Sequence, residues 1–271
     1  MPELPEVETT RLGLAPHLLN HCVERVIVRN GALRWPVPVD LAEHITGWTV
    51  DSIERRGKYL LIVFQHGCLM VHLGMSGSLR MVSAQVPVGK HDHVDIVLDN
   101  GLILRFNDPR RFGSILWVEG DPTLHPLLKD LGPEPLSDEF SGQYLHGRAC
   151  KRSLPVKSLL MDSRMVVGVG NIYANEALFM SGVHPLRKAG RISAARYDKL
   201  AEAVKSVLAS AIEQGGTTLR DFVGGDGKPG YFKQQLQVYG RAGRLCKRCG
   251  GVLKELRLNQ RSTVYCPGCQ H

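Results

Sequence analysis

Near its C-terminal end the chain reads Cys246-x2-Cys249, sixteen further residues, then Cys266-x2-Cys269. No other feature limits the fold as tightly. Each CxxC pair brings two sulfurs to one tight turn, and two such turns complete a tetrahedron of thiolates around a zinc ion. Two disulfides are the alternative, and a chain that starts without a secretory signal disfavours them. The opening residues, MPELPEVETT, lack the basic start and apolar core that a signal needs. Four thiolates leave no position open for water, so one structural ion is expected, held in a β-hairpin. Cys22, Cys68 and Cys150 show no partner spacing and read as small apolar residues.

Charge gathers in the same region. Lys and Arg total 34 against 26 Asp and Glu, a formal net charge of +8. From Lys228 to His271 nine basic residues face one acid, Glu255, so this segment carries +8 and residues 1–227 balance. Four thiolates and one dication subtract two, leaving the folded tail at about +6. A basic tail on a neutral body points to a polyanionic partner, with a merely solubilising tail as the alternative. The 43% hydrophobic and 22% charged composition excludes a disordered chain. No stretch approaches the roughly 18 apolar residues of a membrane span. The expected compartment is the cytoplasm.

Upstream, the pattern changes character along the chain. A helix is expected to start at Pro5, because proline suits the first helical turn and Glu6 and Glu8 suit its positive end. Strand-like runs follow at 23–29, 48–54, 58–65, 68–73, 79–82, 93–98, 102–107 and 114–118. Asp99-Asn100-Gly101 joins two of them as a hairpin signal. Many short strands closed by turns predict an antiparallel β-sandwich or barrel over about the first 120 residues. Pro122, Pro126, Pro133 and Pro135 then punctuate a linker. Beyond it the periodicity is helical, at 144–148, 156–161, 171–181 and 193–214, the last stopped by Gly215-Gly216.

The first dipeptide is chemically suggestive. Removal of Met1 would leave Pro2 with a free secondary amine. A terminal amine titrates near about 8 and a lysine near about 10.4, so the former holds a few-hundred-fold more free base at neutral pH. Its attack on a sugar aldehyde carbon gives an iminium, an electron sink for elimination. Taken by itself, however, the dipeptide reads as a helix start.

The segments MPELPEVET, HLGMSG (72–77), DPRRFG (108–113), GVGNIYANE (168–176), DGKPGYF (226–232) and the closing CxxC pair occur in this order. Together they closely resemble the formamidopyrimidine-DNA glycosylase family, and the resemblance covers essentially the whole chain. It implies an α+β protein: an N-terminal antiparallel β-sandwich (1–133), a helical helix–two-turns–helix domain (134–232) and a four-cysteine zinc finger (237–271). It also implies a monomer that excises oxidised purines (8-oxoguanine, formamidopyrimidines) from damaged double-stranded DNA and cleaves the abasic site by β,δ-elimination, with no membrane partner.

The resemblance gives residues roles. Pro2 is the expected nucleophile, Glu3 the acid/base beside it, Lys58 a proton donor during β-elimination, and Arg261 a phosphate grip that assists δ-elimination. Met75, Arg110 and Phe112 match the trio that fills the gap left by an everted base. Asn171 belongs to a phosphate clamp, Lys157 is a further phosphate contact, and His91 and Arg152 fall at DNA-contacting positions. The glycine-bearing segment 217–232 resembles a lesion-sensing lid. Two rivals stay open: the sister activity on oxidised pyrimidines, and a non-catalytic zinc-dependent protein that binds distorted duplexes.

Overall fold

Short apolar runs separated by tight turns give two four-stranded antiparallel sheets, ordered β1-β6-β7-β5 and β2-β3-β4-β8. The first contains β1 (Val23–Val28), β5 (Ser78–Ser83), β6 (Asp92–Leu98) and β7 (Leu102–Asn107). The second contains β2 (Ser52–Arg56), β3 (Tyr59–Phe64), β4 (Gly67–His72) and β8 (Ser114–Glu119). A computed structural model describes residues 2–217 and 235–271. It divides into two units, Met1–Lys129 with Gln214–Tyr231, and Asp130–Glu213 with Phe232–His271.

In the first unit one core joins the sheets. Leu60, Ile62, Leu69, Val71 and Ile115 of one sheet share it with Val94, Ile96, Leu104 and Phe106 of the other. The eight strands therefore form a sandwich rather than a closed barrel. Helix α1 (Leu4–Leu18) adds Val7, Leu14 and Leu18 to this core, with Pro5 in its first turn and Asn20 in the left-handed region just beyond its end. Asn100 closes the β6–β7 hairpin, its Oδ1 accepting the Leu102 N–H at 3.0 Å while Gly101 takes φ +77.

Three details depart from the sequence reading. Lys58 does not begin a strand: Gly57 (φ +58) and Lys58 form the turn between β2 and β3. The strand expected from residue 48 starts only at Ser52, because Thr49 makes a single bridge to Cys22 and the chain then crosses to β3. Helix α2 (Leu41–Ile45) spans five residues, too few to show a period, and packs Leu41 and Ile45 inward.

The second unit is helical with a terminal hairpin. Helices α3 (Gly142–Ala149), α4 (Val156–Leu160), α5 (Asn171–Met180) and α6 (Ala194–Glu213) precede strands β9 (Lys254–Leu258) and β10 (Arg261–Tyr265). Ser141 caps α3, its side chain accepting the Tyr144 N–H. Helix α6 buries Tyr197, Leu200, Val204, Val207 and Leu208 along one face. Asn259 (φ 48) and Gln260 (φ 61) turn the β9–β10 hairpin, the conformation that a two-residue hairpin loop requires. Helix α5 is buried on nearly every side, and its Glu176 accepts backbone N–H groups from Gln237, Val238 and Tyr239 at 2.8–2.9 Å.

Candidate functional site

The N-terminal dipeptide is set by the helix that follows it. Pro2 and Glu3 are buried, and Glu3 occupies the N-cap of α1. The Glu3 backbone N–H donates to Glu6 Oε2 at 2.8 Å. The other oxygen, Oε1, accepts the Thr217 N–H at 2.8 Å, directly after Gly216, whose φ is +83. One carboxylate at the positive end of the helix therefore ties the dipeptide to the residue that leads into segment 218–234. Of the expected lid at 217–232, only Thr217 falls within the described residues.

A second chain of contacts reaches Lys58. Glu8 on α1 accepts Arg11 at 2.7 Å and the Arg55 Nε–H at 2.9 Å, and Arg55 also donates to the Gly57 carbonyl at 3.0 Å. The turn that carries Lys58 is thus fastened to α1. Burial pushes the Glu8 carboxyl up, but the two guanidiniums overcome this and hold it below its ordinary range.

Beside this turn lies His72, which the sequence reading passed over although it begins the HLGMSG segment. Its ring packs on Tyr59 at 4.8 Å, and its Nδ1 accepts the Gly74 N–H at 3.0 Å. Burial, then the Lys58 and Arg34 cations, push its pKa down to about 4. The imidazole is neutral at physiological pH and carries its proton on Nε2. A histidine at a strand end before a glycine turn was the available signal.

Met75 and Phe112 are exposed apolar side chains on two adjoining loops, 40% and 44% accessible. Gly74 (φ +64) lies so close to the Phe112 and Gly113 backbone that a Cβ there would clash. The Arg110 guanidinium stands 4.9 Å from the centre of the Phe112 ring. The three expected gap-fillers are therefore neighbours. His91 is tied to the start of the Arg110–Phe112 loop, its carbonyl accepting the Asp108 N–H at 3.0 Å.

In the second unit, Asn171 opens α5 behind Gly170. Lys157 is not a surface cation: it is 1% exposed, and its Nζ donates to Asn171 Oδ1 (2.7 Å), Thr263 Oγ1 (2.7 Å) and the Ser262 carbonyl (3.1 Å). Asn171 Nδ2 donates to the same Ser262 carbonyl at 3.0 Å. Arg261, the first residue of β10, shares an open cleft of about 320 Å³ with Lys157 and Asn259. Arg152 is exposed after α3, its carbonyl accepting the Gly190 N–H.

The four C-terminal cysteines converge. Their Sγ atoms all lie within 4.8 Å of one another, with Cys246–Cys269 at 3.9 Å and Cys249–Cys266 at 3.4 Å. A tetrahedron of Zn–S bonds near 2.3 Å requires sulfurs about 3.8 Å apart, so the donor set fits zinc. Cys246 and Cys266 belong to a small core with Phe179, Val238, Leu253 and Val264. The site is closed, as a structural ion requires.

Comparison with known proteins agrees with this geometry. Residues 1–115 match the model of the formamidopyrimidine-DNA glycosylase N-terminal domain, residues 131–223 that of its H2TH domain, and residues 243–271 a zinc finger found in FPG and IleRS. The chain binds one structural zinc through Cys246, Cys249, Cys266 and Cys269. It is 61% identical over 270 residues to formamidopyrimidine-DNA glycosylase of Marinobacter nauticus and 59% identical to that of Stutzerimonas stutzeri, each alignment covering 100% of both chains. Among solved structures, the MutM (Fpg) protein of Thermus thermophilus matches with TM-score 0.89 and 38% identity, over 99% of this chain and 98% of that one. A Lactococcus lactis Fpg mutant in complex with Fapy-dG-containing DNA matches with TM-score 0.93 and 30% identity over the full length of both. This chain belongs to the formamidopyrimidine-DNA glycosylase family of DNA repair enzymes.

Proposed function

We propose that the protein is a bifunctional glycosylase and abasic-site lyase, acting on oxidised purines such as 8-oxoguanine and formamidopyrimidines in duplex DNA. Within the family assignment, the observation that carries the reading is the fixing of Pro2-Glu3 at the positive end of α1 by the Glu6 carboxylate. Once Met1 is removed, the Pro2 nitrogen attacks C1′ of the damaged nucleotide, the bond to the base breaks, and an iminium forms. Glu3 serves ring opening and proton transfer at the adjacent position. The iminium withdraws the C2′–H electron pair, and loss of the 3′ phosphate completes β-elimination; a second elimination releases the 5′ phosphate.

In this reading Lys58 donates a proton as the strand breaks, and the neutral His72 beside it offers an N–H to a phosphate oxygen. Asn171 and Arg261 grip the phosphates near the lesion, Arg261 also assisting δ-elimination, while Lys157 orients Asn171 and the hairpin beneath it. His91 and Arg152 add DNA contacts. Met75, Arg110 and Phe112 occupy the gap left by the everted base, offsetting the few kcal/mol that unstacking costs. The working form is a cytoplasmic monomer. The bounds 1–133, 134–232 and 237–271 serve as its catalytic, helical and zinc-finger segments.

The products test the reading. A labelled duplex carrying 8-oxoguanine is expected to yield a one-nucleotide gap with phosphate at both ends. An unsaturated aldehyde at the 3′ side instead restricts the chemistry to β-elimination. An intact strand after base loss removes the lyase. Preferential excision of oxidised pyrimidines moves the protein to the sister activity.

A further inference from the structure

The loops that carry Met75, Arg110 and Phe112 share one fully buried carboxylate. Asp108 is 0% exposed. Its Oδ1 accepts the Ser76 hydroxyl at 2.9 Å and the Arg110 backbone N–H at 3.2 Å, and its Oδ2 accepts the Gly113 N–H at 2.7 Å. Its main chain is held as well. The Asp108 N–H donates to the His91 carbonyl at 3.0 Å, and its carbonyl accepts from His93 Nε2 at 2.8 Å and the Arg111 N–H at 3.2 Å.

Burying a carboxylate is costly, and three donors aimed at its oxygens are what offset that cost. The arrangement has a clear geometric result. Ser76 follows Met75, while Arg110 and Gly113 bracket Phe112, so the two oxygens staple one loop to the other. Gly74 and Gly113 permit the close approach: a Cβ on Gly74 would strike the Phe112–Gly113 backbone, and one on Gly113 would meet the His72 carbonyl at 2.7 Å. Arg111 adopts φ +56 so that Arg110 and Phe112 project together. None of these contacts involves Pro2, Glu3 or Lys58.

We infer that Asp108 is a positioning residue that sets the spacing of Met75, Arg110 and Phe112, and thereby governs how readily a base is everted rather than how fast the strand is cut. The inference rests on the proposed glycosylase reading. An asparagine has one accepting oxygen and presents an amide N–H2 where a donor now points, so Asp108→Asn loosens the staple while conserving volume. Eversion costs more for an intact lesion, whose base must be unstacked and unpaired, than for an abasic site, which has no base to extrude. Asp108 therefore separates two activities that a loss of folding would lower together.

The test is single-turnover cleavage by the full chain of two duplexes, one with 8-oxoguanine and one with a preformed abasic site, for wild type, D108N and the milder S76A. D108N is expected to lower the 8-oxoguanine rate about tenfold or more, the size of a lost hydrogen bond to a charged group. Its abasic-site rate should stay within about threefold, and S76A should show the same split on a smaller scale. In a D108N/M75A double variant the two 8-oxoguanine defects should fall short of their product, because they act through one gap-filling unit. Equal losses on both duplexes, no loss on either, or fully multiplicative defects overturn the positioning role. If D108N does not fold, S76A decides by the same criterion. Wild-type protein that cleaves neither duplex defeats the glycosylase reading, and this inference with it.

Discussion

Lys157 Nζ donates to Asn171 Oδ1 at 2.7 Å, and this contact decides which way the Asn171 amide points. With Oδ1 engaged, Nδ2 faces the Ser262 carbonyl, next to Arg261 at the start of β10. The lysine also holds Thr263 from the hairpin. It links the N-terminus of α5 to the zinc module.

K157M replaces the ammonium with a side chain of similar length and removes these donors. Hydrogen bonds to a charged group contribute about 1.5–3 kcal/mol each. Fluorescence anisotropy with abasic-site duplex is expected to show affinity reduced about tenfold or more. Zinc content should stay at one ion per chain. Unchanged affinity would disconnect Lys157 from Asn171 and the hairpin.

Zinc removal should have a larger and more local effect. Ligand energy in such sites is folding energy, of order 10 kcal/mol or more. Cys246 and Cys266 sit in the core beneath the hairpin with Val264 and Leu253. Chelation, or C249S, is expected to abolish duplex binding while hydrogen exchange in β3 and β4 remains protected. A chelated protein that binds lesion duplex normally contradicts the assignment of the hairpin to the DNA surface.

Acid stability should depend on Asp95. It is 1% exposed and pairs with Arg105 through Nε–Oδ1 and Nη2–Oδ2 contacts of 2.9 Å each, with Arg29 adding a third at 2.8 Å. Burial raises its pKa, but the two guanidiniums reverse this and leave it below the ordinary value of 3.8. A carboxyl with a lowered folded pKa stabilises fully above its unfolded value, and that contribution is lost as pH falls through the folded value. D95N removes the carboxylate that pairs most closely with buried Arg105 and leaves Asp92 Oδ2 at 3.5 Å from its Nη1, so denaturant melts at pH 7 should show a loss of about 3 kcal/mol. The variant should also lose less stability than wild type on going below pH 4. Parallel pH profiles for the two would contradict this.

The Glu6 carboxylate accepts Glu3 and Thr217 N–H groups on separate oxygens. E6Q can satisfy only one with its carbonyl and turns a donor toward the other. Single-turnover cleavage at an abasic site is expected to fall about tenfold, with duplex affinity little changed. Equal rates for E6Q and wild type would remove Glu6 from the support of the dipeptide.

Periodicity and spacing made much of this architecture legible. The short apolar runs at 102–107 and 114–118, the α6 face and the CxxC spacing all carry their signal within a few neighbouring residues. What stayed hidden depends on contacts across the chain. Asp108 looks like a turn residue until Ser76, 32 positions away, is seen to donate to it. Lys157 looks like a surface cation until Thr263, 106 positions away, closes over it. His72 gains its neutral state from burial and from Lys58 and Arg34, none of which a local window reveals. Lys58 itself lies in a turn because Gly57 takes a left-handed backbone, which the apolar run after it does not announce.

The central claim is that the Pro2 nitrogen is the nucleophile. Borohydride reduction of the protein with a duplex carrying 8-oxoguanine, followed by mass mapping of the crosslinked peptide, tests it directly. A covalent adduct on Pro2, absent from P2G, is expected. An adduct mapped to Lys58 or another lysine, or none from protein shown to have lost Met1, bound zinc and engaged the duplex, would contradict it.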